Sequence, residues 1–446
     1  QSYTASLPNG ATFSMTGFDA SISKFNATGT ALMFSTYLGG NDNETIHSLV
    51  TDQNSNLYVM GVTGSSNFPT TNGAFDQTHN GGPTVDANEL GFVGGADIYI
   101  TRFNANGSAL VGSTFVGGTG TDGVNKSSLF YNYGDPFRGE IIHSNGFIYV
   151  ASSSQSVNFP TVSASQGFLS GQQDAVVFKM TDNLTTMSWS TYYGGSGEDS
   201  GNGLQLSSNG DVYLTGGTTS ANLSLLSGHD LSYNGGIADG FLTRFSNATG
   251  TVLSGTYIGT NEYDQSFFVQ LDNDDAVYIY GQSEGTIAIT PGCYGTPNSG
   301  QIIAKYSTNL GTQNWVTTVG AGSGHVEISP TAFLVSNCKD IYISGWGGQI
   351  NQTYAPGATL SSTIGFPVTT DAFQSVTSGS NFWIAVLNQD ASALEYATFI
   401  GGTSSSANHV DGGTSRFDKN GVVYQSVCGG CGGHSDFPTS QGAWSN

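Results

Sequence analysis

The feature that most limits what this chain can fold into is a hexapeptide that keeps returning. Ser35-Thr36-Tyr37-Leu38-Gly39-Gly40 recurs at 113–118 and 190–195, in weaker form at 255–259 and 316–320, and again at 397–402. A threonine stands three places before the first glycine in all six copies. That glycine falls at 39, 117, 194, 259, 320 and 401, giving spacings of 78, 77, 65, 61 and 81 residues. A recurring unit fixes the architecture before any local assignment, because each unit buries its faces against its neighbours.

Each unit holds four β-like runs in a fixed order. In the first full copy these are 46–50, 57–62, 97–103 and 109–118, with a long loop carrying Phe68-Pro69-Thr70-Thr71 after the second run. The second run recurs at 147–150, 212–214, 277–279, 341–343 and 422–424, and the third at 174–179, 239–245, 301–306 and 382–387. Alternation over five to seven residues between Gly, Asn and Asp marks half-buried strands. Asn-Gly at 209–210 and 420–421 marks hairpins. No stretch carries a helical period. The sequence predicts an all-β chain, a β-propeller of four-stranded antiparallel blades, since a parallel β-helix would repeat over a far shorter period.

We expect one domain over 1–446, with units at 46–118, 138–195, 203–259, 266–320 and 331–402. Strands from 410–428 and 19–40 would complete a closing blade, making six. A further strand-like run at 9–15 allows seven, with strands supplied from outside this sequence. The repeat also predicts that Asp97, Asp174 and Asp239 share one position at strand starts.

Composition narrows the function. The formal net charge is -22, with 10 Lys+Arg against 32 Asp+Glu. So few basic residues disfavour nucleic acid and anionic membrane surfaces as partners. No apolar run is long enough to span a bilayer as a helix. The chain begins at Gln1, consistent with a removed signal peptide or with a fragment.

The repeated Ser-Thr-aromatic-x-Gly-Gly segment, the Asn-Gly-x-x-Tyr hairpins, the Phe-Pro-Thr-Thr loops and the Asp-Ala-x-x-x-Lys-Phe strands resemble the SBBP-type bacterial β-propeller repeat over most of 18–446. The Cys-Gly-Gly-Cys-Gly-Gly run at 428–433, followed by Asp436-Phe437-Pro438-Thr439, is similar to the variant in large secreted surface proteins of gliding bacteria. That resemblance implies an extracellular or cell-surface protein and supplies no catalytic residues. The units around Gly259 and Gly320 depart from it, lacking the second glycine and the full Phe-Pro loop.

Several motifs invite chemistry. Gly281-Gln282-Ser283-Glu284-Gly285 matches a nucleophile elbow, but no helix follows and Thr63 and Thr218 hold the same place. The segments 117–122 and 194–199 match the opening of a calcium nonapeptide, yet single copies cannot share ligands, so aspartates capping backbone N–H groups are expected. Asp272, Asp274 and Asp275 form the densest acidic run, a hairpin turn or a calcium site. No cofactor is expected, with calcium the one metal in view. Cys428 with Cys431, and Cys293 with Cys338, read first as disulfides, with free thiols and a zinc site near His434 and Asp436 as alternatives. The Phe68-Pro69, Phe159-Pro160, Phe366-Pro367 and Phe437-Pro438 loops are either recognition surface or inward-packed turns.

These observations favour a non-enzymatic binding, adhesion or structural module of a larger bacterial surface protein, with a protein or glycan partner. The alternatives are a propeller lyase or hydrolase acting on polysaccharide in the central channel, and a ligand-free spacer.

Overall fold

The computed structural model describes residues 3–6, 12–15, 17–88, 90–125, 128–403, 408–410, 415–418, 420–429 and 436–444. The period-two runs form five four-stranded antiparallel sheets among these residues, each pairing its strands in chain order. We label the sheets blades I–V and their strands A–D. Blade I is Glu44–Thr51, Leu57–Thr63, Asp97–Phe103 and Leu110–Val116. Blade II is Glu140–Ser144, Phe147–Ser154, Asp174–Thr181 and Met187–Tyr193. Blade III is Asp199–Leu206, Val212–Thr218, Asp239–Phe245 and Val252–Ile258. Blade IV is Asp264–Leu271, Val277–Ser283, Gln301–Tyr306 and Gln313–Val319. Blade V is Ser329–Val335, Ile341–Trp346, Phe382–Leu387 and Leu394–Ile400.

The A strands of successive blades meet one another around the axis, which leaves the D strands at the rim. Both faces of each blade are covered, so the core lies between units and not inside one. Val150, Val176 and Phe178 of blade II pack on Met60, Ile98 and Ile100 of blade I. Leu204, Leu214 and Phe241 of blade III pack on Tyr149 and Val177 of blade II. Asp97, Asp174 and Asp239 do stand at one repeated place, opposite Thr63, Ser154 and Thr218.

The expected six or seven blades are not formed among the described residues, which make five. The closing blade expected from 19–40 and 410–428 stays as two separate hairpins, Ala20–Phe25 with Leu32–Leu38 and Arg416–Phe417 with Val423–Tyr424. Each is held by its own neighbour. Ala20, Ile22 and Leu38 pack on Val59, Tyr99 and Phe115 of blade I, and Phe417 packs on Ala332 and Leu334 of blade V. The Arg416 guanidinium reaches across instead, donating to Leu49 O (3.1 Å) and Ser48 Oγ (2.7 Å) and pairing with Glu140. The strand-like run at 9–15 supplies Thr12–Met15, which pairs with Tyr3–Ser6.

The recurring threonine has a specific task. Thr191 Oγ1 accepts the Gln166 N–H (2.8 Å) and donates to the Gln166 carbonyl (3.1 Å), pinning the B–C loop along strand D. Thr114 does the same to Asp76, Thr256 to Asp230 and Thr398 to Gln374. In blade IV only the donated half survives, from Thr317 to Tyr294 O at 2.6 Å.

The glycines after it make the joint to the next blade. Asp199 Oδ2, at the start of the next A strand, accepts the Gly195 N–H (2.8 Å) and the Ser220 hydroxyl (2.9 Å), while Thr218 donates to its other oxygen. Asp122 holds Gly118, Ser154 and Ser156 in the same way, and Glu44 holds Gly40 and Thr63. The first glycine has no room for a side chain. A methyl group on Gly194 would sit 2.6 Å from both Asp174 Cγ and Asp199 Oδ2. Gly194→Ala is therefore expected to lower unfolding free energy by roughly 1–3 kcal/mol, read as a lower urea midpoint at unchanged m-value.

Candidate functional site

A long connection in blade II fills the mouth of the ring. Asp122 keeps its place four residues after Gly118, but strand A begins only at Glu140. Residues 128–139 use that slack to cross the axis. Asn132 Nδ2 donates to Gln282 Oε1 of blade IV (2.8 Å), and Tyr133 N donates to Asn351 Oδ1 of blade V (3.0 Å). Asn88 of blade I donates to Tyr133 O at 2.5 Å. The Tyr131 ring stacks on Tyr263 with centroids 3.7 Å apart, and its hydroxyl donates to Glu284 Oε1.

The crossing is anchored by an ion pair away from water. Arg138 Nε donates to Asp135 Oδ1 (3.0 Å), and its other nitrogens reach Pro330 O (3.0 Å) and Ser329 Oγ (3.2 Å) of blade V. Its guanidinium lies 4.6 Å from the Phe267 ring centroid. Burial pushes the Asp135 carboxyl up despite the arginine beside it. The short 3-10 turn Asp135–Phe137 and the helix Gln349–Tyr354 carry these partners.

Beside the crossing lies a polar cavity of about 180 Å³, lined by residues 283–286, Asn298, Ser299 and 322–324. It opens where blade IV breaks the repeat. Gly285 stands at the place of Ser65, Ser156 and Ser220, and the Thr260 side chain, where blades I–III have a glycine, takes the space beside it. At its edge Glu284 Oε1 accepts the Val326 N–H (2.9 Å), and Glu284 Oε2 lies 3.1 Å from His325 Nδ1.

The residues singled out from sequence mostly serve the fold. Phe68, Phe159 and Phe366 are buried, against Tyr99, Tyr192 and Trp383, which removes them as recognition side chains. Pro69 and Pro367 offer their carbonyls to Ser113 Oγ (2.6 Å) and Trp383 Nε1 (2.9 Å), and Pro160 is half-buried. Phe437 is half-buried and Pro438 exposed.

The carboxylates of the acidic run diverge. Asp272 caps the Asp274 and Ala276 N–H groups and pairs with Lys305 (3.7 Å) and Lys339 (3.5 Å). Asp274 pairs with Lys339, and Asp275 turns to Ser208 of blade III. Asp52 and Asp418 cap equivalent turns, so Asp272 is a repeat position. Ser283 is buried and its hydroxyl accepts the Gly285 N–H (2.9 Å), as a strand end and not a nucleophile.

Cys293 and Cys338 are free thiols, which corrects the disulfide expected between them. Cys293 is fixed against the Asp390 carbonyl, while Cys338 sits exposed in the A–B turn of blade V. Cys428 exchanges backbone hydrogen bonds with His409. Cys431 and His434 lie outside the described residues, so the second disulfide and the zinc reading do as well.

Sequence reading missed the crossing and the docking strip Thr63-x-Ser65-x-Asn67, with its copies Ser154-x-Ser156-x-Asn158 and Thr218-x-Ser220-x-Asn222. Asn158 Oδ1 accepts the Thr119 N–H (2.8 Å) and Asn222 Oδ1 the Ser196 N–H (2.9 Å), tying each blade to the one before. The spacing was visible three times over. The crossing left a cruder trace, an anchor-to-strand gap of about twenty residues in place of four.

The family model described as SBBP, beta-propeller repeat, matches residues 34–69, the stretch that runs from the first anchor into blade I of the propeller. No curated protein matches. Solved structures resemble the chain only at low identity and low TM-score. A Bacteroides caccae protein of unknown function is 6% identical, with TM-score 0.36, over 82% of this chain and 85% of its own. The Dos1 propeller is 9% identical, with TM-score 0.40, over 93% and 71%. The sialidase of Trypanosoma rangeli is 7% identical, with TM-score 0.38, over 94% and 54%. Enzymes and non-enzymes both stand among them.

Truncating Arg138 leaves Asp135 buried without its cation. Arg138→Ala is expected to cost roughly 3–5 kcal/mol, and limited proteolysis should then cut within 128–139 before any blade.

Proposed function

We propose that this SBBP-type propeller is a non-catalytic binding or adhesion module of a larger bacterial surface protein, taking a protein or glycan partner on its mouth-side loops. One observation carries the reading: residues 128–139 cross the mouth and tie blade II to blades I, IV and V. A channel enzyme needs convergent acid, base or nucleophile groups in reach of substrate. Here Tyr131, Asp135 and Arg138 are spent on holding the crossing. What the mouth offers is a rigid rim of loops, the arrangement suited to recognition. The acidic, lysine-poor surface and the repeat resemblance support a location outside the cell or on its surface, away from nucleic acid.

The cavity beside Glu284 presents hydroxyls and an amide, groups suited to a sugar ring or a polar loop. Binding to immobilised polysaccharides and to isolated surface proteins, measured together with release of reducing ends, tests the reading. Retention without product release is expected, with Asn298→Ala weakening it about tenfold, the value of one hydrogen bond. Product release that disappears in Glu284→Gln would replace it with the enzyme reading.

A further inference from the structure

The same pair of acidic positions brackets the first anchor glycine at three successive joints. A methyl group on Gly117 would lie 2.7 Å from Asp97 Oδ1 and 2.9 Å from Asp122 Oδ2. On Gly194 it would lie 2.7 Å from Asp174 Oδ1 and 2.6 Å from Asp199 Oδ2, and on Gly259 2.8 Å from Asp239 Oδ1 and 3.2 Å from Asp264 Oδ2. One carboxyl opens strand C of a blade; the other opens strand A of the next (Asp199, Asp264) or, in blade II, stands ahead of the crossing (Asp122). All six residues are fully buried. The two members of a pair share one glycine, and the charge of one raises the other (Asp122 on Asp97, Asp174 on Asp199, Asp264 on Asp239), so buried together they do not both stay ionised without a neutralising partner.

No such side chain is present among the described residues. The charged groups acting on these pairs are themselves acidic: Asp76 on Asp97, Asp230 on Asp239 and Glu262 on Asp264. The phenols of Tyr192, Tyr193, Tyr233 and Tyr257 also face the pairs, and burial raises each of them, so they stay neutral. What the protein supplies is N–H and O–H donors. Asp97 Oδ2 accepts the Asn80 N–H (2.7 Å) and Asp264 Oδ2 the Thr260 N–H (2.6 Å), while Asp174 takes Gln166, Ser170 and Gly171. Asp97 Oδ1 and Asp239 Oδ1, the oxygens that face the glycine, have no hydrogen-bond partner among the described residues.

The joint after blade V shows what those oxygens lack. There the pair is Asn381 and Asn408, whose amide nitrogens flank Gly401. Asn381 Nδ2 donates to Gly402 O (2.9 Å) and Asn408 Nδ2 to Ser380 O (3.0 Å). An amide has the shape of a neutral carboxylic acid, with a donor where a carboxylate has only lone pairs.

We propose that the Asp97–Asp122, Asp174–Asp199 and Asp239–Asp264 pairs each hold one shared proton at neutral pH, so that the blade joints tighten in acid and loosen in base. One carboxyl of each pair holds the proton, and the pair carries one negative charge in place of two. Burial moves these acids in the required direction: Asp97 is pushed up to about 8, Asp199 and Asp239 to about 7, Asp122 and Asp264 to about 6, and Asp174 is raised. Because these groups bind protons more tightly folded than unfolded, their contribution is complete below the ordinary aspartate range and is lost as pH rises through about 6 to 8.

The test is the thermal midpoint of the whole chain between about pH 5.5 and about pH 8.5, where ordinary carboxylates no longer titrate. The wild type should lose roughly 5–10 °C across this window. The triple variant Asp97→Asn, Asp174→Asn, Asp239→Asn copies the Asn381 arrangement and should show a slope at least halved. Should the triple variant not fold, Asp97→Asn alone should remove about a third of the slope. Infrared spectra should show a carboxylic-acid C=O band at pH 7 that the variants lose. An unchanged slope with no such band overturns the proposal. So does a midpoint at pH 8.5 that calcium raises and EDTA lowers in wild type but not in the variant, which would make the shared ligand a metal ion.

Discussion

The ring depends on one recurring contact, the grip of a buried carboxylate on the backbone of the preceding blade. Asp199, Asp264 and Glu44 begin an A strand, Asp122 and Glu327 stand ahead of one, and all five accept N–H groups from the turn just before them. Asp122, Asp199, Asp264 and Glu44 also take hydroxyls from the end of strand B, so one side chain ties the turn to two strands. A buried anion is costly unless saturated with donors, and the repeat supplies them at fixed spacing. The glycine is required because the backbone has to come within contact distance of two carboxyl groups. The threonine is required because a short donor-acceptor must hold the outer loop against strand D.

Departures from that joint are where the molecule becomes particular. Blade II keeps Asp122 and spends its extra length on the crossing, whose buried Arg138 and stacked Tyr131 fix it to the far side of the ring. Blade IV gives up the docking serine for Gly285 and the strand-C aspartate for Gly300, and a polar cavity opens there. An array of identical blades would carry neither feature. The loops of blades II and IV meet at Tyr131, Asn132, Gln282 and Glu284, so the two departures form one surface.

The sequence carried the strands, their order and the anchor plainly, because alternation and turn chemistry are local and repeat several times. Asp97, Asp174 and Asp239 were legible as equivalents for that reason. The inward turn of Phe68 and Phe159 was also within reach, as the Phe-Pro pair sits at a fixed step from strand B. Blade number was not legible, since it depends on whether two distant hairpins share a ladder, and side chains such as Arg416 and Phe417 decide that. The crossing was hidden because residues 128–139 have no period of their own. Their partners, Tyr263, Asn351 and Pro330, lie more than a hundred residues away in the chain.

The composition acquires a structural meaning once the joints are seen. A chain with 10 basic residues cannot place a lysine or arginine at each blade joint. Those it has are largely committed elsewhere: Arg102, Arg244 and Lys305 pair with the A–B turn aspartates Asp52, Asp211 and Asp272, and Arg138 anchors the crossing. The joints are instead lined with serine, threonine and glycine, whose hydroxyls and exposed N–H groups spread one negative charge but do not neutralise two. Asn381 and Asn408 meet the same demand without any charge. The Gly-, Ser- and Thr-rich character of the chain therefore follows from the chemistry of the joint: small donors packed around acids, with nothing larger able to fit between them.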